Sequence, residues 1–172
     1  MGDLLDITAY VSEVLVALLQ LFLGFLFSIS AISAGISLLD KLTKDHEEWE
    51  LIKKGKTSVG ILYGAVVLSL IVIIEPVLVA TVLSVHSAIF QGMWITFALD
   101  LLALLIATLV AIFSIYTILR VINSMTADVD EFGEIMQGNN AMAILIGSMV
   151  FGVSFVIRIS IMYLVTALTS VV

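Results

Sequence analysis

Four ionisable side chains interrupt stretches of this sequence that are otherwise apolar, and they define the chemistry to be explained. Glu75, Asp100 and Arg158 each lie inside a long apolar run, and Glu13 lies near the start of the first one. A charged side chain is costly in hydrocarbon unless it has a partner, so such residues mark ion pairs or the paths of ions and protons. Two carboxylates and one guanidinium therefore predict a salt bridge and one carboxylate in excess.

The runs around these charges are long enough to cross a membrane. Hydrophobic residues make up 62% of the 172 residues and charged residues 12%, which leaves too few polar side chains to cover a soluble core. About 20 apolar residues cross a hydrocarbon layer of about 30 Å. Four runs exceed that length, at residues 14–39, 57–85, 94–122 and 141–172. The sequence predicts an all-α integral membrane protein with four transmembrane helices.

The charge balance and the lack of cysteine argue against several classes of function. The net charge is −7, and the seven lysine and arginine residues leave no basic surface for nucleic acid. Without cysteine there is neither a disulfide framework nor thiol catalysis. There is no Ser-His-Asp spacing and no glycine-rich phosphate loop. We therefore predict that the chain is not an enzyme and that it binds no cofactor or metal.

The second half of the chain repeats the first without a gap, at an offset of 83 residues. The informative polar matches are Thr43, Asp45, Glu48 and Gly55, which recur as Thr126, Asp128, Glu131 and Gly138. We predict two tandem two-span repeats, residues 1–88 and 89–172, within one membrane domain. Because each unit has an even number of spans, both units enter the membrane from the same side and the repeats are parallel.

The few basic residues predict the orientation of the chain. Those in or beside the loops within the two repeats are Lys41, Lys44, Lys53, Lys54, Lys56 and Arg120. The N-terminus, the turn at 85–93 and the C-terminus carry no lysine or arginine. The positive-inside rule therefore places both loops in the cytoplasm and both termini outside.

Each of these loops carries an acidic motif, Asp-x-x-Glu, followed by apolar residues at helical spacing and a glycine. This order is typical of a capping box and a C′ glycine, so we expect a short interfacial helix with its aromatic residue among the lipid headgroups. The motif residues are Asp45, Glu48, Trp49, Ile52 and Gly55, and then Asp128, Glu131, Phe132, Ile135 and Gly138. The motif is either a structural corner or an acidic ring that binds a divalent cation or a basic partner.

Small residues at four-residue spacing predict where the helices approach closely. They are Gly24, Ser28, Ala31 and Gly35 on the first span, Gly60 and Gly64 on the second, and Ala143 and Gly147 on the fourth. We expect these stripes to seat the first span on the second and the third on the fourth. A seam between two copies of the chain is the alternative.

Glu75 and Arg158 occupy equivalent positions in the two repeats, so they lie at the same depth with opposite charge. A rise of about 1.5 Å per residue places both, together with Asp100, in the outer half of the bilayer. We predict one buried polar cluster of these three residues, within reach of Gln20 and open to the outside. The cluster is either a salt bridge that fixes how the two halves of the chain align or part of a permeation path. In a permeation path, the excess carboxylate is protonated or holds a cation.

The loops resemble the YjfL-like family, catalogued as domain of unknown function 350. Its members resemble tandem two-span repeats with the signature D-E-x-x-E-I-x-x-G-N-x-A-A-A-I. Residues 130–144 read DEFGEIMQGNNAMAI, with Asn139 after the glycine, whereas Lys56 replaces that asparagine in the first copy. The resemblance implies a location in the cell (inner) membrane and a duplicated fold, and it implies no reaction.

Two classes of function remain. One is a non-catalytic module in the lipid bilayer, which forms a homo-oligomer or binds a cytoplasmic or envelope protein. The other is a small ion or proton channel or transporter, which uses the cluster of Glu75, Asp100 and Arg158.

Overall fold

A computed structural model of the chain describes residues 2–43, 48–125 and 130–169. Within these ranges the regular structure consists of six α-helices, with no β-strand. The helices are α1 (Gly2–Thr43), α2 (Glu48–Lys53), α3 (Thr57–Gln91), α4 (Trp94–Met125), α5 (Glu131–Gln137) and α6 (Asn140–Thr169). The predicted all-α class is confirmed.

Four of these helices are long and apolar enough to cross a membrane. The candidate spans are Tyr10–Ser37, Thr57–Gln91, Trp94–Ile122 and Asn140–Ala167. A helix pairs its own backbone donors and acceptors, which hydrocarbon requires because it offers no partners of its own. The four predicted spans are confirmed, and the second one extends past its predicted end at residue 85.

Caps and left-handed glycines set the ends of the helices. Gly92 has a φ of 71° and ends α3 shortly before α4 begins, so α3 and α4 form a helical hairpin. Asn139 caps α6, because its Oδ1 accepts a hydrogen bond from the N–H of Met142 at 3.1 Å. Gly138 has a φ of 114° and ends α5 directly before that cap.

Helix α3 is the centre of the bundle. It packs most extensively against α6, then against α4, and less against α1. The buried core comes mainly from α3, α4 and α6, with Ile135 from α5, and includes Leu70, Ile73, Ala111 and Val150. Most of the described side chains of α1 are exposed. Helix α1 is therefore the peripheral helix of the four.

Small residues allow close approach at two of these contacts. Gly35 of α1 faces Leu70 of α3, where an added Cβ would come within 2.9 Å, and Gly24 faces the same helix. The stripe on α1 therefore lies against α3, as expected. Gly147 of α6 faces Ala65 of α3, again at 2.9 Å from an added Cβ. This contact joins α6 to α3, whereas the sequence pattern predicted a contact with α4.

The two halves of the chain pack unequally. Helix α1 contacts α3 about as much as α4 contacts α6. Helix α4 also packs extensively on α3, whereas α1 makes no comparable contact with α6 and touches α4 instead. One side of the α3–α6 pair is therefore covered by α4, and none of the helices in the described ranges covers the side where the α3–α6 groove lies.

Candidate functional site

Glu75 of α3 and Arg158 of α6 form an ion pair across the central helix contact. The Nη2 and Nε of Arg158 both donate to Oε2 of Glu75, at 2.7 and 3.1 Å. Charge-assisted bonds of this kind are the stronger class of hydrogen bond. The two residues are 83 positions apart, which equals the offset of the predicted repeat. The structure thus brings together two of the residues that were predicted to form the polar cluster.

This ion pair is only partly shielded by the chain itself. The side chains of Arg158 and Glu75 are 40% and 46% exposed, although both residues lie inside candidate spans. Helix α4 covers the other side of the α3–α6 pair. The exposed part of the ion pair therefore lies on the outer surface of the helix bundle, where it faces lipid or another protein.

A groove of about 350 Å³ runs along the same side of the α3–α6 pair. Its lining residues are Gly60, Ile61, Gly64, Ala65 and Leu68 of α3, and Ile144, Gly147, Ser148 and Phe151 of α6. Leu68 and Phe151 lie two helical turns before Glu75 and Arg158, so the groove and the ion pair share one face. We call the groove and the ion pair together the α3–α6 face.

The lining of this groove consists largely of pairs of residues 83 positions apart. Ile61 corresponds to Ile144, Gly64 to Gly147, Ala65 to Ser148, and Leu68 to Phe151. An added Cβ on Gly60 or Gly64 would meet nothing within 4 Å. Ala143, the repeat mate of Gly60, is fully buried. The predicted stripe on α3 is therefore directed into the open groove and does not seat α1.

Asp100 lies apart from the ion pair. Its side chain is 2% exposed, its Oδ1 has no hydrogen-bond partner, and no ion pair reaches it within the described residues. The hydroxyl of Thr81 lies 3.1 Å from the backbone oxygen of Asp100, which fixes the level of Asp100 on α3. Thr81 is six residues, or about 9 Å, beyond Glu75 along the helix. The single predicted cluster is thus corrected to an ion pair and a separate carboxylate.

Gln20 also has a different role from the one predicted. Its Nε2 donates to the backbone oxygen of Val82 at 3.0 Å, which joins α1 to α3. Ser28 donates to the backbone oxygen of Gly24 in its own helix, at 2.7 Å. Neither residue reaches the ion pair, so both serve the packing of α1.

The second loop motif forms a capped helix, α5, but the cap differs from the predicted one. The Oδ1 of Asp130 accepts a hydrogen bond from the N–H of Gly133 at 3.0 Å, so Asp130 is the N-cap. Asp128, the predicted cap, lies outside the described residues. Asn139 donates through Nδ2 to Oε2 of Glu134 at 3.1 Å. Sequence alone cannot choose between two aspartates two residues apart, because both have the same acceptor.

Glu131 is buried, although its place in a charged loop suggested a surface position. It is 1% exposed, and both of its carboxylate oxygens lack a partner in the structure. The buried side chain of Ile135 and the partly buried side chain of Phe132 join the core. The aromatic residue of this copy thus packs inward. Within the described ranges, no three acidic or histidine side chains are placed to hold a metal ion.

Hydrogen bonds from α3 and the residue before it hold α5 on the bundle, and the sequence did not single them out. Ser58 donates to the backbone oxygen of Ile135 at 2.5 Å, and Lys56 donates through Nζ to that of Gln137 at 3.2 Å. Both loops therefore meet at one end of the bundle. A serine at the start of an apolar helix carries too little signal to predict such a partner.

The first loop motif is described only in part. Helix α2 ends at Lys53, Gly55 follows it with a φ of 83°, and Ile52 packs against the core. An exposed pair, Lys54 Nζ to Glu50 Oε2 at 3.7 Å, lies on its surface. The predicted residue Asp45 and the side chains of Glu48 and Trp49 lie outside the described part of the chain.

Four apolar helices of sufficient length to span a bilayer, with an ion pair inside them, are the features of a multi-pass membrane protein. The family described as Domain of Unknown Function (DUF350) has a sequence model that matches this chain twice, at residues 12–108 and 96–172. The chain belongs to this family, and the resemblance noted in the loop motifs is confirmed. No curated protein and no solved structure shows a significant match to the chain.

Proposed function

We propose that this protein is a non-catalytic membrane module that self-associates through its α3–α6 face. The observation that carries the proposal is the ion pair of Glu75 and Arg158, which is 46% and 40% exposed on a face that none of the described helices covers. Charged groups inside a membrane are stable when they face protein partners, and they are costly when they face lipid. A second copy of the chain supplies such a partner.

The charges on this face are complementary to themselves. Helices α3 and α6 run in the same direction, and a two-fold axis along the membrane normal sets α3 of one copy opposite α6 of the other. Glu75 of each copy then faces Arg158 of its neighbour at the same depth. Four charges of alternating sign result, and each carboxylate lies between two guanidinium groups.

The groove supports the same contact at the loop end of the bundle. The groove is lined by three glycines, Gly60, Gly64 and Gly147, whose lack of a side chain allows another helix to approach closely. Small residues at four-residue spacing are typical of contacts between membrane helices. The groove holds too little polar surface to form an aqueous site. An acyl chain of a lipid is the competing occupant, and the experiment below separates the two.

Disulfide trapping between two differently tagged chains tests the proposed dimer. The chain has no cysteine of its own, so one tagged chain carries Ala65→Cys and the other carries Ser148→Cys. Across the two-fold axis these positions face each other, and we expect an oxidised product that carries both tags when the oxidant is added to intact membranes. Every such product is intermolecular, because each chain holds one cysteine.

The matched control pairs Ala65→Cys with Thr117→Cys. Thr117 is exposed on α4 and lies as far from the loop end of its helix as Ser148 does from that of α6. We expect no double-tagged product from this pair. Equal yields from the two pairs, or none from either, would refute the proposal and leave lipid as the occupant of the face.

We further propose that the chain consists of two parallel repeats in the cell membrane, with both loops in the cytoplasm. The double match of the family model and the separation of 83 residues within the ion pair support the repeat. The bond from Lys56 to Gln137 supports loops at a common end. The lysines of the first loop support the cytoplasmic side.

A role in ion transport is the second candidate function. The observation that favours it is Asp100, which is buried inside a candidate span and has an oxygen without a partner. Buried carboxylates in membrane helices recur along ion and proton paths. Such a role requires that Asp100 bind a cation.

A further inference from the structure

Asp100 is a carboxylate buried inside a candidate span, and its burial is not explained by any ion pair among the described residues. It lies six residues after the start of α4, or about 9 Å into the span. Its side chain is 2% exposed, and Oδ1 has no hydrogen-bond partner. Arg158 is engaged with Glu75, and no other cation pairs with Asp100 in the part of the chain that the structure describes. A buried carboxylate oxygen without a partner is costly, so a compensating ligand for Oδ1 is expected.

A second buried oxygen without a partner belongs to a residue on the same face of α4. Thr96 precedes Asp100 by four residues on α4, and residues at this spacing are neighbours on one face of a helix. The Oγ1 of Thr96 is buried and has no hydrogen-bond partner. Two oxygens in the same neighbourhood are thus withheld from water and from every protein donor.

Helix α3 adds further oxygens to the same neighbourhood. Thr81 is fully buried, and its Oγ1 lies 2.8 Å from the backbone oxygen of Val77 and 3.1 Å from that of Asp100. Its one hydrogen is directed toward these carbonyls, which leaves the lone pairs of Oγ1 free to accept or to coordinate. Ser84, also buried, donates to the backbone oxygen of Thr81 at 2.9 Å. The hairpin therefore concentrates oxygen acceptors and lacks a donor for Asp100.

We infer that Asp100, Thr96 and Thr81 form a binding site for a monovalent metal cation of the size of Na⁺. One carboxylate is neutralised by a single positive charge, whereas divalent ions are held by several carboxylates or keep most of their water. Hydroxyl and carbonyl oxygens can replace the hydration shell of an alkali ion inside a membrane protein. The site goes beyond the proposed self-association and does not depend on it.

The test is the thermal stability of the full chain in lipid nanodiscs. Its unfolding midpoint is measured in NaCl, in KCl and in N-methylglucamine chloride at one pH and one ionic strength. A ligand that binds only the folded state raises the midpoint in a saturable way. We expect Na⁺ to raise it by roughly 3 °C over the organic cation, and K⁺ to raise it less.

Two pairs of variants assign the effect to this site. Asp100→Asn removes the charge at nearly constant shape, and we expect it to abolish the shift caused by Na⁺, whereas Asp130→Asn, at the surface cap of α5, keeps it. Thr96→Val moves the half-saturating Na⁺ concentration upward by about tenfold, equivalent to a lost ligand of about 1.4 kcal/mol. Thr117→Val, whose hydroxyl bonds only within its own helix, leaves that concentration unchanged.

The inference is wrong if the midpoint is the same in Na⁺ and in N-methylglucamine. It is also wrong if the midpoint responds to acidification and not to Na⁺, because a proton then neutralises Asp100. Should Asp100→Asn fail to fold, two measurements still test the inference. They are the comparison of the three cations on the unmodified chain and the half-saturating Na⁺ concentrations of Thr96→Val and its control Thr117→Val. Either result leaves the disulfide test of the dimer unaffected.

Discussion

At the scale of single residues, the ion pair of Glu75 and Arg158 is the basis of the proposed self-association. Their bonds of 2.7 and 3.1 Å join the two central helices, and their exposed edges remain available to a second copy. An ion pair open to solvent contributes little to stability, since water screens both charges. In a bilayer the same exposure is unfavourable, so a partner has a larger effect on association than in water.

Reversing both charges tests whether the pair acts between copies. The variant with Glu75→Arg and Arg158→Glu keeps the ion pair within each chain and keeps alternating signs in a dimer of its own kind. A mixed dimer with the unmodified chain brings like charges together, which is unfavourable across an interface. We therefore expect each chain to pair with itself, with mixed dimers at least about tenfold below their statistical share.

The measurement is co-purification of two differently tagged chains from membranes in which both were made. Two unmodified chains with the two tags serve as the control for free mixing. Mixed dimers at the statistical share would show that the charges do not meet across the interface. Failure of the reversed chain to fold would show instead that the neighbouring residues require the carboxylate on α3 and the guanidinium on α6.

Asp100 and Glu131 show why the contacts and burial of single residues were only partly predictable from the sequence. The sequence identified Glu75 and Arg158 as partners because a gapless repeat gives the depth of each residue directly. It could not tell which face of α4 carries Asp100, because that depends on how α4 lies on α3. The burial of Glu131 likewise depends on the docking of α5, which rests on a hydrogen bond from the distant Ser58.

At the scale of elements, the short helix α5 is the part most dependent on a single backbone conformation. It has seven residues, and Gly138 ends it with a φ of 114°. The N–H of Gly138 closes the helix by bonding to the oxygens of Glu134 and Ile135. A residue with a Cβ is strained in this region, which costs about 1–3 kcal/mol.

Substitution of Gly138 should therefore be damaging in a way that other glycines are not. We expect Gly138→Ala to lower the unfolding midpoint by roughly 2–8 °C. Gly152→Ala is the matched control, because Gly152 is within α6 and an added Cβ there meets nothing within 4 Å. Alanine is the better helix former, so this control should leave the midpoint unchanged or raise it. Equal midpoints for the two variants would mean that α5 does not depend on its terminal glycine.

The elements themselves were the most predictable part of the molecule. The existence of the four spans follows from composition alone, and the end of α5 follows from Gly138, which the loop motif marked, whereas α3 extends past its predicted end to Gln91. The contact of α1 with α3 was predicted from the small residues of α1, but its contact with α4 was not, because an exposed apolar surface fits α4, α6 or lipid equally well. Its contact with α3 is selected by Gly35 against Leu70 and by Gln20 against a backbone oxygen.

At the scale of the whole molecule, the unequal packing of the two halves has a direct consequence. Helix α4 covers one side of the α3–α6 pair, and α1 does not take the corresponding place on the other side. A chain with perfect internal symmetry would cover both sides and bury its ion pair. The displacement of α1 thus leaves the α3–α6 face for a second copy in the proposed dimer.

In the proposed topology the two halves enter the membrane in the same direction, because only then do Glu75 and Arg158 lie at one depth. The most direct measurement is the labelling of single cysteines by an impermeant maleimide in sealed vesicles of each orientation. The positions are Lys53→Cys in α2, Gln137→Cys in α5 and, as the control at the opposite end, Gln91→Cys. We expect the first two to be labelled from the cytoplasmic side and Gln91→Cys from the outside. Labelling of Lys53→Cys and Gln137→Cys from opposite sides would contradict the account.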